Sequence, residues 1–314
     1  MPPTPERLVV ALGGNALLRQ GDSGTAAEQA ARSLAAMGAV ASLLTPERQV
    51  VITHGNGPTV GNILIRQQLA RLAVPPMPLD VCGAESQGNI GYLLERALVQ
   101  ILHQRRVQRS VATVLSLVEV DPEDPAFARP MKPIGPFLSA AEAEELGRSV
   151  PVARIGDRGF RRVVASPSPQ RIIECTAIDV LLTAGVVPIT LGGGGVPIII
   201  NHAHELIGVE AVIDKDLSSS LLAREIGARR LIILTDIDCV YLDFSSPQRQ
   251  ALRYLTTAEA EEHLRRGEFL PGSMRPKVEA GIAFLRSGGQ QVLIGLPEDL
   301  PQLLAGNAGT VITP

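Results

Sequence analysis

LVVALGGN at residues 8–15 and QVVITHGNGP at residues 49–58 are apolar runs that each end in a glycine turn. An apolar run without polar alternation is typical of a strand buried on both faces of a parallel sheet. A helical pattern follows each run, at 26–44 and 58–72. This order of strand, glycine turn and helix predicts parallel strands covered by helices on both faces.

The same alternation continues along the chain. Further strands are predicted at 110–120, 186–191, 196–201, 210–213, 230–235 and 291–296. Further helices are predicted at 86–106, 175–184, 217–226, 256–266 and 277–286. Because no repeat or low-complexity linker separates the two halves, we expect both to share one sheet. The predicted fold class is α/β, a three-layer αβα sandwich with a central, mostly parallel sheet.

Residues 121–169 interrupt this pattern. They are rich in proline, and Ser139 with Glu142 three residues later predicts a capping box at the start of a short helix. We expect a small insert that protrudes from the sandwich, where insertions often carry function. The predicted lobes are 1–205, which includes the insert, and 206–314.

The composition narrows the class of protein. The chain has 314 residues, a net charge of −3, 45% hydrophobic residues and 3% aromatic residues, which excludes global disorder. A mildly acidic chain with few aromatics lacks the surface of nucleic-acid binders, so no nucleic acid partner is expected.

The N-terminus lacks a signal-peptide pattern. The longest charge-free run, 180–201, is interrupted by glycine and proline, so we expect buried strands, no membrane partner and a cytoplasmic location.

Cysteine and histidine form no strong metal or nucleophile pattern. Cys82, Cys175 and Cys239 are far apart and odd in number, and we interpret them as small buried residues. The segment His202-Ala203-His204-Glu205 could supply metal ligands, but it follows a buried strand and lacks a clear third anchor. His54 is interpreted as support for its glycine turn.

Three glycine-rich turns each follow a predicted strand, at 13–15, 54–57 and 192–195. Where such a turn leads into a helix, free backbone N–H groups and the positive end of the helix dipole favour an anion. One turn alone is weak evidence, because the geometry of the turn itself requires glycine. Together the turns indicate one phosphate-rich site. The P-loop, dinucleotide and protein-kinase motifs are missing from the sequence, so phosphate must be handled by another route.

Only three of the 29 basic residues are lysines: Lys132, Lys215 and Lys277. In a chain that otherwise uses arginine, lysine is expected where the planar guanidinium does not fit. Lys215 lies between two carboxylates at a strand-to-helix junction, Lys277 follows a Gly/Pro loop, and Lys132 lies in the insert. From composition alone, three solvated surface lysines are an open alternative.

Nine segments, spread over nearly the whole chain, match one known family. They are ALGGNAL at 11–17, THGNGP at 53–58, DVCGA at 80–84, SQGNIGY at 86–92, KPIGP at 132–136, RRVVASP at 161–167, GGGGVP at 192–197, EAVIDKDL at 210–217 and GSMRPKVEA at 272–280. With these segments the sequence resembles the carbamate kinases, of the amino acid kinase superfamily. The long insert and KPIGP separate carbamate kinases from other members of that superfamily.

The resemblance implies the fold described above and a reversible phosphoryl transfer. Carbamoyl phosphate and MgADP give ATP and carbamate, which breaks down to ammonia and carbon dioxide. Lobe 1–205 is implied to hold carbamoyl phosphate and to form a homodimer, and lobe 206–314 to hold the nucleotide. The implied cofactor is ATP or ADP with Mg²⁺ that arrives on the nucleotide, without a metal site of the protein's own.

The resemblance also implies roles for individual residues. The transferred group is implied to lie against Gly13, Gly14, Asn15, Gly55, Asn56, Gly193 and Gly194. The implied catalytic residues are Lys132, Lys215, Lys277 and Asp216, the last holding two of the lysines in position. The residues implied near the nucleotide are Lys215, Thr235, Asp236, Tyr241, Met274 and Lys277. The attacking oxygens of carbamate and ADP are already anionic, so the reaction requires no general base.

Two positions depart from the family pattern. Arg275 stands where glycine is expected, and Asn89 stands where a larger apolar residue is frequent. One alternative hypothesis therefore keeps the fold but takes an amino-acid carboxylate or a related acid as the acceptor. Another is a non-catalytic ligand-binding or regulatory protein, against which the retention of all three lysines argues.

Overall fold

Strands and helices alternate along the chain. The computed structural model describes residues 5–14, 22, 24–156, 159–244, 246, 248–269 and 274–314. The strands are β1 (Glu6–Leu12), β2 (Arg48–His54), β3 (Val111–Thr113), β4 (Leu117–Val120), β5 (Lys132–Leu138), β6 (Val152–Arg154), β7 (Phe160–Val164), β8 (Pro169–Ile172), β9 (Val187–Thr190), β10 (Val196–Ile200), β11 (Leu206–Gly208), β12 (Arg230–Leu234), β13 (Val240–Leu242), β14 (Gln250–Leu252), β15 (Tyr254–Thr256), β16 (Gln291–Gly295) and β17 (Thr310–Thr313). The helices are α1 (Ala26–Val40), α2 (Gly57–Ala70), α3 (Leu79–Gln104), α4 (Pro125–Ala128), α5 (Ala140–Gly147), α6 (Cys175–Thr183), α7 (Lys215–Glu225), α8 (Thr257–Arg265), α9 (Met274–Arg286) and α10 (Leu300–Leu304). Within the described ranges, no helix combines the length and apolar character needed to span a bilayer.

The central sheet has eight strands in the order β15-β17-β16-β12-β1-β2-β9-β3. Neighbouring strands are parallel throughout, except for β16 and β17, which are antiparallel. Strand β1, from the first half of the chain, pairs directly with β12 from the second half. The prediction that both halves share one mostly parallel sheet is confirmed.

Helices cover both faces of this sheet. Along β1, Val9 and Ala11 face one core while Leu8, Val10 and Leu12 face the other, and all five are fully buried. Buried residues of α7 and α9 complete the first core, and those of α1 and α3 complete the second. Full burial of a Val or Leu side chain contributes about 1.5–3 kcal/mol, so the position of β1 is strongly fixed. The three-layer architecture is as predicted.

The insert folds as a separate small unit. Strands β5, β7 and β6 form an antiparallel three-stranded sheet beside α5, which begins with the predicted capping box of Ser139 and Glu142. The insert contacts the sandwich closely at α2, where a Cβ on Gly61 would lie 2.5 Å from the Cα of Gly135. Lys132 is the first residue of β5, so this small unit carries one of the three lysines to the sandwich.

Three element predictions are wrong in part. The strand predicted at 110–120 is divided into β3 and β4, which belong to different sheets. The side chain of Gln87 on α3 bonds both backbone groups of Ser116, at 3.0 and 3.1 Å, and so takes the place of a strand partner at the Ser116 N–H, while the Ser116 carbonyl also accepts from the Val196 N–H at 2.9 Å. Residues 210–213 form no strand beyond one isolated bridge at Ala211. Helix α3 begins at Leu79 instead of residue 86.

Candidate active site

The three glycine turns meet at one edge of the central sheet. Strands β1, β2 and β9 are neighbours and run parallel, so their carboxyl ends lie side by side. The N–H of Gly55 donates to the carbonyl of Leu12 at 2.9 Å, which joins the first turn to the second. The predicted convergence of the turns is therefore present. Asn15 lies outside the described residues.

A cavity of about 210 Å³ opens at this edge. Eight of the residues predicted for the site line it: Gly14, Gly55, Asn56, Gly193, Lys132, Lys215, Asp216 and Lys277. All three lysines of the chain thus face one cavity, although they come from the insert, α7 and α9. The alternative of three solvated surface lysines is wrong.

The third turn requires glycine because other groups approach its backbone. A Cβ on Gly193 would lie 2.1 Å from the Asn56 amide, and one on Gly192 would lie 2.6 Å from the His54 ring. Gly193 and Gly194 also have positive φ angles of 66° and 93°, which L side chains rarely adopt. The close approach leaves backbone groups, rather than side chains, at the floor of the cavity.

A buried carboxylate joins two of the lysines. Asp216 lies in the first turn of α7, and its side chain is 3% exposed. Its Oδ1 accepts a hydrogen bond from Lys215 Nζ, and its Oδ2 accepts one from Lys277 Nζ at 2.9 Å. The predicted arrangement, with Asp216 between Lys215 and Lys277, is present. The carboxylate fixes the separation of two ammonium groups that would otherwise repel each other.

Electrostatics keeps this cluster charged. Burial acts to raise the pKa of Asp216, but the ammonium groups of Lys215 and Lys277 outweigh burial and hold that pKa well below its usual range. Burial also acts to lower the pKa of Lys277, but Asp216 outweighs it and the pKa is raised. Burial lowers the pKa of Lys215 below its ordinary value. Asp216 and Lys277 are therefore stabilised in their charged forms, and both lysine side chains are largely buried beside the cavity.

Lys132 is held by a different carboxylate. Its Nζ lies 2.6 Å from Oδ2 of Asp214, the residue that caps the N-terminus of α7. The Oδ1 of Asp214 accepts a hydrogen bond from the backbone N–H of Asp216 at 2.9 Å. The insert and the N-terminus of α7 are thus connected at the cavity through one side chain.

Hydrogen bonds of buried hydroxyl groups connect α7 to β2 and to the third glycine turn. Ser219 on α7 bonds Thr53 of β2 at 2.6 Å and donates to the carbonyl of Lys215 at 2.6 Å. Ser218 donates to the carbonyl of Gly194 at 2.7 Å. Asn56 donates to Ser86 on α3 at 2.7 Å. Sequence reasoning missed these supporting residues, although three consecutive serines at 218–220, before Leu221 and Leu222, are a visible signal.

Of the residues predicted near the nucleotide, Lys215 and Lys277 line the cavity, whereas Thr235, Asp236, Tyr241 and Met274 are outside its lining. Thr235 and Asp236 follow β12, and the Asp236 carboxylate contributes to the raised pKa of Lys277. Tyr241 in β13 donates to Asp238 at 2.9 Å, and the Cys239 thiol, burial and Asp238 raise the pKa of Tyr241 to about 12. Met274 is 7% exposed and packs into the core at the start of α9. Met274 therefore contributes to the packing of the core at the start of α9.

Gly13 and Gly194 are two further predicted residues that do not line the cavity. Gly13 bonds the carbonyl of Leu234 at 2.9 Å and so joins β1 to β12. A Cβ on Gly194 would lie 2.6 Å from the carbonyl oxygen of Ile213, just before α7. Both glycines let neighbouring backbones approach each other, which is a packing role beside the cavity.

Histidine and cysteine play no visible chemical part. His54 is buried and donates from its ring to the carbonyl of Gly55 at 3.1 Å, as expected for a residue that supports its turn. Burial lowers the pKa of His54 to about 4, so the ring is neutral at pH 7. Cys82 and Cys239 are buried as predicted, while Cys175 is partly exposed. Among the residues that the structure describes, no three His, Cys, Asp or Glu side chains form a group suited to a metal ion.

The two departures from the family pattern lie on helix surfaces. The exposed Arg275 pairs with Glu279 one turn further along α9, at 2.7 Å. Asn89 is exposed on α3. Neither residue lines the cavity.

Comparison with known proteins gives one consistent result. Residues 6–295 match the amino acid kinase family. The carbamate kinase-like protein YahI of Escherichia coli (strain K12) is 44% identical over 98% of this chain and 98% of its own. Carbamate kinase 1 of Enterococcus faecium is 43% identical, with 98% and 99% covered. The structure of the carbamate kinase from Giardia lamblia bound to AMP-PNP is 35% identical, with a TM-score of 0.91 and 98% of both chains covered.

The relatives, together with the cavity where lysines surround glycine turns, identify this chain as a kinase, and its sequence contains no P-loop. The chain belongs to the amino acid kinase family. The resemblance to carbamate kinases within that family is confirmed by the identity of these relatives over nearly the whole chain.

Proposed function

We propose that this chain catalyses phosphoryl transfer between carbamoyl phosphate and MgADP. One observation carries the proposal: Asp216 holds Lys215 and Lys277 at a cavity that is also lined by Gly14, Gly55 and Gly193. Two relatives, 40% and 43% identical to this chain, are named carbamate kinases. The related carbamate kinase from Giardia lamblia has been solved with the nucleotide analogue AMP-PNP bound. The reaction gives ATP and carbamate.

The chemistry fits what the chain provides. An anionic oxygen of the ADP β-phosphate attacks the phosphorus of carbamoyl phosphate, and the bond from phosphorus to the carbamoyl oxygen breaks. Carbamate leaves as a carboxylate that takes the electron pair, so no proton has to move. The protein has to align two anions and neutralise charge that spreads over the phosphoryl oxygens. Ammonium groups and backbone N–H donors suit that task.

We assign the residue roles accordingly. Lys215 and Lys277 flank the transferred phosphoryl group, Asp216 orients them, and Lys132 reaches the group from the insert. The glycine turns and Asn56 hold carbamoyl phosphate. The nucleotide lies on the side of Thr235, Asp236, Tyr241 and Met274, in the lobe 206–314. The lobe 1–205 holds carbamoyl phosphate.

Mg²⁺ is proposed to arrive with the nucleotide. Both oxygens of Asp216 accept from lysines, and the oxygens of Asp214 accept from Lys132 and from the Asp216 N–H, so both carboxylates are already engaged by positive or N–H donors. This donor set fits an ion held mainly through phosphate oxygens. When bound, Mg²⁺ neutralises charge on the nucleotide phosphates.

The proposal is tested by purified protein with MgADP and carbamoyl phosphate, for which we expect formation of ATP. Carbamoyl phosphate is a mixed anhydride, so ATP synthesis is the favourable direction. A panel of amino-acid carboxylates with ATP tests the alternative acceptor. Activity on an amino acid instead of carbamate would overturn the assignment of substrate, and tight nucleotide binding without turnover would favour a regulatory protein.

We further propose a homodimer that forms through lobe 1–205 and acts in the cytoplasm. The support is the family resemblance. Sedimentation at dilute concentration tests the dimer, and a single species with the mass of one 33.3 kDa chain would refute it.

A further inference from the structure

We propose that Asp214 is a positioning residue for the phosphoryl transfer, which places the Lys132 ammonium in the cavity and thereby couples the insert to α7. This inference rests on the proposed function. It is carried by the geometry around the Asp214 carboxylate, which shares its oxygens between the insert and the N-terminus of α7.

The orientation of the Asp214 carboxylate is fixed on both sides. Asp214 is 9% exposed, Oδ1 accepts from the N–H of Asp216 at 2.9 Å, and Oδ2 accepts from Lys132 Nζ at 2.6 Å. The cap bond prevents the carboxylate from rotating freely, so the position of Oδ2 is set by the start of α7. That same turn carries Lys215 and Asp216. Asp214 therefore places Lys132 relative to the other two lysines.

Lys132 needs such a tether because its backbone belongs to the insert. Strand β5 pairs with β7 inside the insert, not with a strand of the central sheet. The side chain of Lys132 is 28% exposed, whereas those of Lys215 and Lys277 are 10% and 13% exposed. An ammonium group has three donors, and the bond to Asp214 uses one of them. The remaining donors are available to a phosphoryl oxygen.

The kinetic effect of neutralising Asp214 distinguishes a residue that positions Lys132 from one that only balances its charge. A carboxylate beside an anion site opposes anion binding. If Asp214 only balanced charge, its neutralisation would lower KM for carbamoyl phosphate and leave kcat unchanged. If Asp214 positions Lys132, neutralisation lowers kcat, because small displacements of a catalytic group cost up to about 100-fold in rate.

Asp214→Asn is the direct test. Asparagine caps a helix as well as aspartate does, so the fold of α7 is retained while the charge at Oδ2 is lost. We expect kcat for ATP formation to fall by about 10- to 100-fold, with KM for ADP unchanged. The matched control is Asp124→Asn. Asp124 caps α4 by accepting from the N–H of Ala126 at 2.8 Å, away from the cavity, and this variant should keep the wild-type kcat.

A double variant tests whether the loss of kcat in Asp214→Asn acts through Lys132. In a Lys132→Met protein, the added Asp214→Asn change should leave kcat as it is, because the group that Asp214 places is already missing. A further loss of 10-fold or more in the double variant would overturn the proposal. An unchanged kcat in the single Asp214→Asn variant would overturn it as well.

A third readout does not depend on activity. The three lysines are the only side-chain amines in the chain, so an amine-acetylating reagent followed by mass spectrometry reports on each of them separately. Loss of the Asp214 carboxylate should speed labelling of Lys132 several-fold more than labelling of Lys215 or Lys277. Equal labelling in wild type and Asp214→Asn would overturn the tether even if the wild-type protein made no ATP. Inactive wild type with faster Lys132 labelling would instead refute only the proposed function.

Discussion

Lys277 Nζ lies 2.9 Å from Oδ2 of Asp216, although 61 residues separate the two in sequence. Asp216 lies in the first turn of α7 and Lys277 in the first turn of α9, so their contact joins the N-termini of two helices. Both dipoles favour negative charge at this point. A transferred phosphoryl group would therefore meet two ammonium groups and two helix N-termini together.

Replacing Lys215 by arginine should abolish ATP formation without unfolding the protein. The side chain of Lys215 is 10% exposed and its Nζ bonds Oδ1 of the buried Asp216, a point contact that a planar guanidinium does not reproduce. The measurement is kcat beside a thermal unfolding curve. Arg66→Lys, an arginine-to-lysine exchange on α2 outside the cavity lining, is the control and should leave kcat unchanged. A Lys215→Arg enzyme with more than a tenth of the wild-type kcat would contradict the assigned role.

Asp216→Asn should destabilise the fold as well as inactivate the enzyme. It leaves two buried ammonium groups without their counter-charge, and breaking a buried pair costs about 3–5 kcal/mol. Phosphate or sulfate should raise Tm more in this variant than in wild type, because the unpaired lysines bind anions. Equal shifts of Tm in both proteins would show that the lysines do not face the anion site.

The same carboxylate predicts a pH dependence of stability. The folded-state pKa of Asp216 lies below its ordinary value of 3.8, so its stabilising contribution is present above pH 3.8 and is lost as pH falls toward the folded pKa. Urea unfolding should show a smaller loss of stability on acidification for Asp216→Asn than for wild type. Parallel curves would contradict the pKa shift.

His54 predicts a second pH effect, at higher pH. Burial lowers its pKa from 6.5 to about 4, so the unfolded chain binds a proton that the folded chain does not bind between these values. Stability should fall by up to about 3 kcal/mol as pH drops from 6.5 to 4. A His54→Gln variant should lack this part of the decrease. His103→Gln, which changes an α3 residue that is exposed, should retain it.

Gly193→Ala should raise KM for carbamoyl phosphate. The new Cβ would displace the Asn56 amide, since it would lie 2.1 Å away. Gly185→Ala is the matched control, because Gly185 also has a positive φ, of 82°, but no atom within 4 Å of its Cβ position. Both variants should lose about 1–2 kcal/mol from backbone strain, and only Gly193→Ala should lose kcat/KM. Equal kcat/KM values for the two variants would contradict the role of this turn.

The central strands and the candidate lysines could be predicted because both leave local signals, whereas the gathering of the lysines at one site was implied by the resemblance to carbamate kinases. β1, β2 and β9 are uninterrupted apolar runs that end in glycine, and three lysines stand out among 29 basic residues. The capping box that starts α5 is equally local, and it is present.

Other features depend on distant partners and could not be predicted. The division between β3 and β4 lies where Gln87, a residue of α3, bonds both backbone groups of Ser116. The part that Asp214 plays depends on Lys132, 82 residues away, reaching the start of α7. Nothing in the spacing of the two residues indicates that contact.

Formation of ATP from MgADP and carbamoyl phosphate, measured in parallel for wild type and Lys215→Arg, tests the central claim most directly. We predict rapid formation of ATP by the wild-type protein and none above the uncatalysed background for the variant, with both proteins folded. No ATP from the folded wild-type protein, or equal rates for the two, would contradict the account.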